Sequence, residues 1–251
     1  MSATKPAPKN VSKNPSKKAP VGGSGRNWVF PTVIGVVVLA GVLAVVLSAV
    51  GGSKSDSGGS GGTVVKAKVE VSPKVTVTGA ALPAFTGAAK DPAVGLAAPG
   101  LESVDFAAKD SVTGGTTGSP YVVAFLAHWC PHCQLEVPRL VAVEQAGKNA
   151  GVPVIAVPTG TDSGAPNYPP STWLSRERWP GRVVLDDKAQ SAARAYGLAG
   201  YPYLVWVDAN GKVAARTAGE VPETDLRSMF ADLAAGRPVT VPNAGGSSNA
   251  G

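Results

Sequence analysis

Residues 127–139 read AHWCPHCQLEVPR and hold both cysteines and both histidines of the 251-residue chain. His128, Trp129, Cys130, Pro131, His132 and Cys133 are consecutive, so every thiol and imidazole falls within six positions. Two thiols at this spacing suit disulfide exchange, in which a thiolate attacks a disulfide sulfur and a second thiol resolves the mixed intermediate. The same cluster, as His128, Cys130, His132 and Cys133, is a soft-ligand set suited to copper or zinc. A third use is a plain structural bridge, common in exported proteins. Against the bridge, so local a loop removes little unfolded-state entropy. Against the metal, structural sites usually recruit a second ligand pair from elsewhere in the chain, which this sequence lacks.

The flanking residues decide where these groups sit. YVVAFLA (121–127) is a continuous apolar run that reads as a buried strand, and Pro131 occupies the first helical position that proline favours. Cys130 is therefore expected at a helix N-terminus, where free backbone N–H groups and the positive end of the helix dipole favour a thiolate. Cys133, one turn later, is within disulfide reach, with its sulfur more buried. That predicts Cys130 as the attacking group and Cys133 as the resolving one, with His132 on the same turn adding a donor or a positive charge.

Beyond the cluster the chain alternates strands and helices. The helix after Cys130 carries Leu135, Leu140, Val141 and Val143 at helical spacing, with Glu144, and VPVIAVP (152–158) reads as a second buried strand. DKAQSAARAYG has an Asp start and a Gly197 stop. YLVWVD (203–208) and KVAART (212–217) flank an Ala-Asn-Gly turn, and PETDLRSMFADLAAG has Pro222 in its first turn and Gly236 after its last. The order predicts an α/β fold, a central mixed sheet flanked by helices on both faces. Upstream, VVKAKVEV (64–71) and KVTVT (74–78) alternate and read as a hairpin within an N-terminal β extension over 64–94. NYPPSTWLSRERWPG (167–181) is an insertion that reads as a lid or as a surface loop with a short helix. The Asp186-Asp187 pair reads as a helix cap rather than as paired catalytic carboxylates.

Charge is concentrated at the N-terminus. Lys5, Lys9, Lys13, Lys17, Lys18 and Arg26 lie in the first 27 residues without an acidic residue among them, leaving 17 basic against 17 acidic residues in the remainder. The folded part is thus near neutral and offers no basic patch for a nucleic acid. Residues 1–27, rich in Lys, Pro, Ser and Gly, are expected to be disordered. WVFPTVIGVVVLAGVLAVVLSAV (28–50) is uncharged and long enough to cross a bilayer as a helix. Its length and long basic leader distinguish it from a cleaved signal peptide, although Leu47-Ser48-Ala49 resembles a cleavage site. The positive-inside rule then places residues 1–27 in the cytoplasm and the rest outside. Residues 51–63 are a Gly/Ser linker with a span of about 20 Å, which keeps the domain close to the membrane face, and residues 237–251 read as a disordered tail. No extended apolar interface is evident, and a monomer is expected.

Trp129-Cys130-Pro131-His132-Cys133, followed by Glu136 and Pro138 and by a downstream Tyr201-Pro202, resembles the thioredoxin superfamily over about residues 95–236, specifically its membrane-anchored TlpA-like branch. The resemblance implies a thioredoxin-like fold, a redox-active Cys130–Cys133 disulfide with no other cofactor, and exported cysteine-containing proteins and a membrane redox partner as its correspondents. It implies that Pro202 is the cis-proline facing the disulfide, that Trp129 and Tyr201 line the substrate side, and that Glu136 carries a proton to or from Cys133. Two positions depart from the family pattern: Ala124 stands where thioredoxins have a buried Asp, and Tyr201 where Thr or Val precedes the proline. Cys-Pro-His-Cys resembles the DsbA dipeptide and favours disulfide donation, while the TlpA-like frame favours reduction. The direction of electron flow stays open, and an extracytoplasmic copper-binding chaperone using the same cysteines is the alternative.

Overall fold

The structure, a computed structural model, describes residues 68–114 and 118–242. The chain divides into units 1–62 and 63–251, and the described residues belong to the second. The expected membrane helix at 28–50, its basic leader and the linker lie outside the described residues, as does the tail beyond residue 242. Among the described residues, no helix is long and apolar enough to cross a membrane.

Strands β1 (Thr76–Thr78), β2 (Gly100–Val104) and β3 (Asp110–Thr113) precede β4 (Tyr121–Leu126), and α1 (Pro131–Gln145) follows. Then come β5 (Val154–Pro158), α2 (Pro170–Arg176), α3 (Ser191–Ala195), β6 (Tyr203–Val207), β7 (Val213–Ala218) and α4 (Glu223–Ala234). The main sheet has the order β5-β4-β6-β7, with β4 parallel to β5 and antiparallel to β6, and β6 antiparallel to β7. It is the expected mixed sheet of a thioredoxin-like α/β fold.

The period-2 side-chain alternation divides the core in two. Val122, Ala124, Leu126, Leu204 and Trp206 face Cys133, Val137 and Leu140 of α1, Trp173 and Leu174 of α2, and Leu226, Phe230 and Leu233 of α4. Val123, Phe125, Tyr203, Val205 and Val207 face the other way, onto Ala192, Ala193 and Ala195 of α3 and onto Val75, Leu82, Ala93 and Leu101. One face is therefore covered by helices and the other by a single short helix and the N-terminal segment. Arg216 of β7, fully buried, fastens that segment: its guanidinium pairs with the Asp91 carboxylate, with Nε at 2.7 Å, and Nη1 donates to the Pro83 carbonyl at 2.8 Å.

Several expectations need correction. The hairpin of 64–71 with 74–78 does not form among the described residues: β1 pairs instead with β2, Val77 opposite Leu101, in a separate three-stranded sheet β1-β2-β3. Residues 68–71 are not a strand. Val69 N–H bonds the Phe106 carbonyl, and the Glu70 carboxylate accepts from Ser171 N–H at 2.9 Å and from its hydroxyl at 2.5 Å, satisfying the first turn of α2 from afar. Leu135 is 54% exposed, and the buried stripe of α1 is Cys133, Glu136, Val137, Leu140, Val141 and Val143. Of the two readings of the insertion, the loop with a short helix holds, as α2, but it is more than a surface feature, because α2 plants Trp173 and Leu174 in the core. The helix expected after Asp187 is only the five residues of α3, ended by Gly197 at a φ of 70°. As expected, Asp186 and Asp187 cap it, accepting from the backbone N–H groups of Ser191, Ala192 and Ala193. At the C-terminal end, Arg237 bonds Asp232 and Val239 packs on the core, so the chain stays against the domain there.

Candidate active site

The end of β4 delivers the cluster. Cys130 is the N-cap of α1 in an extended conformation (φ −77°, ψ 121°), with Pro131 behind it in the first turn. The residue is 7% exposed, and its sulfur lies 3.8 Å from the Tyr201 carbonyl oxygen. Cys133 is fully buried one turn below and accepts the Ala127 N–H at 3.4 Å. Both are free thiols. Burial pushes the Cys133 thiol well above the usual range, the Ala127 N–H opposes this, and Cys130 and Glu136 add to it. Both thiols are buried, and they differ in place: Cys130 sits at the helix terminus against the Tyr201 carbonyl, and Cys133 lies one turn further inside.

The Tyr201-Pro202 bond is cis, and Pro202 is buried with its carbonyl accepting the Gly219 N–H at 2.8 Å. It is the Tyr201 backbone that meets Cys130, so the unusual side chain at this position leaves that contact available. The Tyr201 ring packs edge-on against Trp129, centroids 5.6 Å apart, and Trp129 Nε1 donates to the Gly160 carbonyl at 2.8 Å while 37% of the residue stays exposed. Gly160 has a φ of 60°, and a Cβ there would stand 3.0 Å from the Tyr201 hydroxyl oxygen. A bare backbone at 160 lets the two aromatic rings pack together against it.

Glu136 is fully buried. Its Oε2 accepts the Val221 N–H at 3.1 Å and lies 3.4 Å from Arg139 Nη1, while Oε1 has no partner among the described residues. Burial pushes its carboxyl up to about 7, against the lowering effect of Val221 and Arg139. Ala124, which replaces the expected Asp, is a fully buried part of the core, so Glu136 is the carboxyl that stands near Cys133. α1 runs through Pro138 without interruption.

The histidines are placed differently from one another. His132 is largely exposed and its Nδ1 lies 2.8 Å from Glu220 Oε1, so the ring engages a carboxylate from the β7–α4 connection rather than the Cys130 sulfur. His128 is buried: Nδ1 is 2.7 Å from the Pro166 carbonyl and Nε2 accepts the Asp162 N–H at 3.2 Å. A carbonyl only accepts and an amide N–H only donates, which puts the ring hydrogen on Nδ1. Both nitrogens of His128 are thereby occupied in holding the loop after β5. Among the described residues, no group of three or more His, Cys, Asp or Glu side chains is arranged to hold a metal ion.

Sequence reading missed Arg139 and Glu220. Glu220 is 88 residues from His132 and 81 from Arg139 along the chain, and no local pattern marks it.

A thiol pair at a strand–helix junction, with one sulfur facing a cis-proline loop and the other enclosed beside a carboxyl, marks a thiol–disulfide oxidoreductase of thioredoxin-like fold. The Redoxin family profile matches residues 77–233, well over half of the chain, and the protein belongs to that family. It is 25% identical over 141 residues to the thiol-disulfide oxidoreductase ResA of Geobacillus thermodenitrificans, a match covering 56% of this chain and 78% of that protein. It is 30% identical over 105 residues to human nucleoredoxin, covering 39% of this chain and spanning only 22% of that protein's length. Among solved structures, SMc02350 of Sinorhizobium meliloti 1021 shares the fold at a TM-score of 0.50 and 18% identity, over 66% of this chain and 93% of that one.

Proposed function

We propose that the protein is an extracytoplasmic, membrane-tethered oxidoreductase, TlpA-like in its frame, that exchanges disulfides with exported cysteine-containing proteins through Cys130 and Cys133. The observation that carries this reading is the contrast between the two sulfurs, Cys130 at the helix terminus against the Tyr201 carbonyl and Cys133 enclosed beside Glu136. The uncharged run at 28–50 supports the tether, and the match to ResA supports the chemistry.

When the pair reduces a client, the Cys130 thiolate attacks one client sulfur, forming a mixed disulfide and releasing the other client sulfur as a thiolate. Cys133 then gives its proton to the Glu136 carboxylate and attacks the Cys130 sulfur. The Cys130–Cys133 disulfide forms, the second client thiolate leaves, and two electrons have passed to the client. Disulfide donation is the reverse sequence, with Glu136 returning the proton to Cys133. A membrane redox partner resets the pair in either direction.

The reduction potential of the full-length protein, equilibrated against glutathione and read by thiol alkylation, tests this reading. A value well above the roughly −270 mV of thioredoxin identifies a disulfide donor, and one at or below it a reductant. A protein whose two cysteines do not equilibrate with glutathione at all overturns the proposal.

A further inference from the structure

Four ionisable side chains form an unbroken chain from the surface of the active-site dipeptide to the buried carboxyl beside the resolving cysteine. His132, its side chain 65% exposed, meets one oxygen of Glu220 at 2.8 Å, and the other oxygen of Glu220 accepts from Arg139 Nη1 at 2.7 Å. The same Nη1 lies 3.4 Å from Glu136 Oε2. Two carboxylates thus compete for one guanidinium nitrogen, and the shorter contact belongs to Glu220. The residue after Glu220, Val221, gives its backbone N–H to Glu136 at 3.1 Å. A single short connection between β7 and α4 therefore supports the Glu136 carboxyl with one residue and draws its cation away with the other.

We propose that Glu220 is a positioning residue that apportions Arg139 between two carboxylates and thereby ties the charge of His132 at the surface to the protonation of Glu136 in the interior. The inference rests on the exchange role given above to Cys130 and Cys133. With His132 protonated, the Glu220 charge is matched at the surface and Arg139 is released toward Glu136, favouring the carboxylate that accepts the Cys133 proton. With His132 neutral, Glu220 holds Arg139, and Glu136 retains the proton that Cys133 needs when the disulfide is reduced. The charged and titratable groups facing Glu136 are Cys133 and Arg139 from α1 and Glu220 from the β7–α4 connection. Arg139 favours its ionised form and Glu220 opposes it.

The test is a carboxyl-carbon NMR titration of Glu136 in the full-length protein labelled with 13C-glutamate and held in detergent micelles, the resonance being assigned by its loss in Glu136→Gln. Glu220→Gln, nearly isosteric, should lower the Glu136 midpoint by about 0.5–1 pH unit, whereas Arg139→Gln should raise it by about 1 unit or more. Of two substitutions at the exposed position 132, His132→Gln should give a higher Glu136 midpoint than His132→Lys, which fixes a positive charge beside Glu220. An unchanged or raised midpoint in Glu220→Gln, a lowered one in Arg139→Gln, or equal midpoints in His132→Gln and His132→Lys overturns the proposal. The titration needs no turnover. A failure of the exchange reading shows separately, as a Cys130→Ser protein that still exchanges disulfides at the wild-type rate.

Discussion

Burial holds the Cys133 thiol in its protonated form, and the Glu136 carboxylate, one turn further along the same buried face of α1, adds to that effect. A thiol that resists ionisation needs a base at the moment it attacks, and Glu136 is the group placed to serve. In the client-reducing direction the resolution step should speed up as pH rises through about 7, where Glu136 ionises, and level off above it. Replacing Glu136 by Gln should slow that step by about 10²-fold and remove the inflection. Stopped-flow release of client thiol from the preformed mixed disulfide, from pH 5 to 9, measures both.

The same carboxyl makes stability depend on pH. Its folded value of about 7 is raised above the ordinary 4.5, so the folded state binds the proton more tightly than the unfolded one. The stabilisation is fully present below about pH 4.5 and is lost as pH rises through about 7, with a size of at most about 3 kcal/mol. Thermal or urea denaturation of the Glu136→Gln protein should show a flatter pH profile over this window and a higher stability than wild type at pH 8.

The placement of the two sulfurs, Cys130 at the helix N-cap facing the Tyr201 carbonyl and Cys133 one turn inside, assigns their order of action. Cys133→Ser should accumulate client joined to Cys130 through a mixed disulfide that no second thiol resolves, whereas Cys130→Ser should capture none. Non-reducing electrophoresis followed by mass spectrometry of the trapped species checks this. Equal trapping by both variants would mean that Cys133 reaches clients as readily as Cys130.

Trp173 separates a core insertion from a movable lid. It is 1% exposed and packs with Leu174 in the cluster beneath α1. Trp173→Ala should therefore cost about 3–5 kcal/mol, read as a lowered denaturation midpoint. A lid would instead give near-wild-type stability with altered turnover.

The parts legible from sequence are those whose information is local. The runs at 121–126 and 154–158 are apolar at every position because the strands are buried on both faces, and Pro131 fixes where α1 starts. The small sheet was not legible because β1 is three residues long and its partner begins 22 residues later, while alternation in VVKAKVEV mimics a pairing that 68–71 does not make. Leu135 has helical spacing but lies on the outer side, since the cysteine and the glutamate beside it claim the inner one. Of the site, the cysteines, Trp129, Glu136 and Pro202 could be named in advance from motif and resemblance. Glu220 and Arg139 depend on the β7–α4 connection and α1 meeting in space, and His128 holds a loop 34 residues away rather than joining the thiols.

The stretch after α2 guards the flank of the sheet. Ala156 on β5, the outermost strand of the main sheet, gives its N–H to the Arg182 carbonyl and takes the Val184 N–H, and the hydroxyls of Ser103 and Ser111 bond the Leu185 and Val183 carbonyls from the other side. An uncovered strand border is a template for self-association and for unplanned pairing with any extended chain. With Ala156 engaged by the protein's own backbone, that template is withdrawn along the β5 side of the sheet.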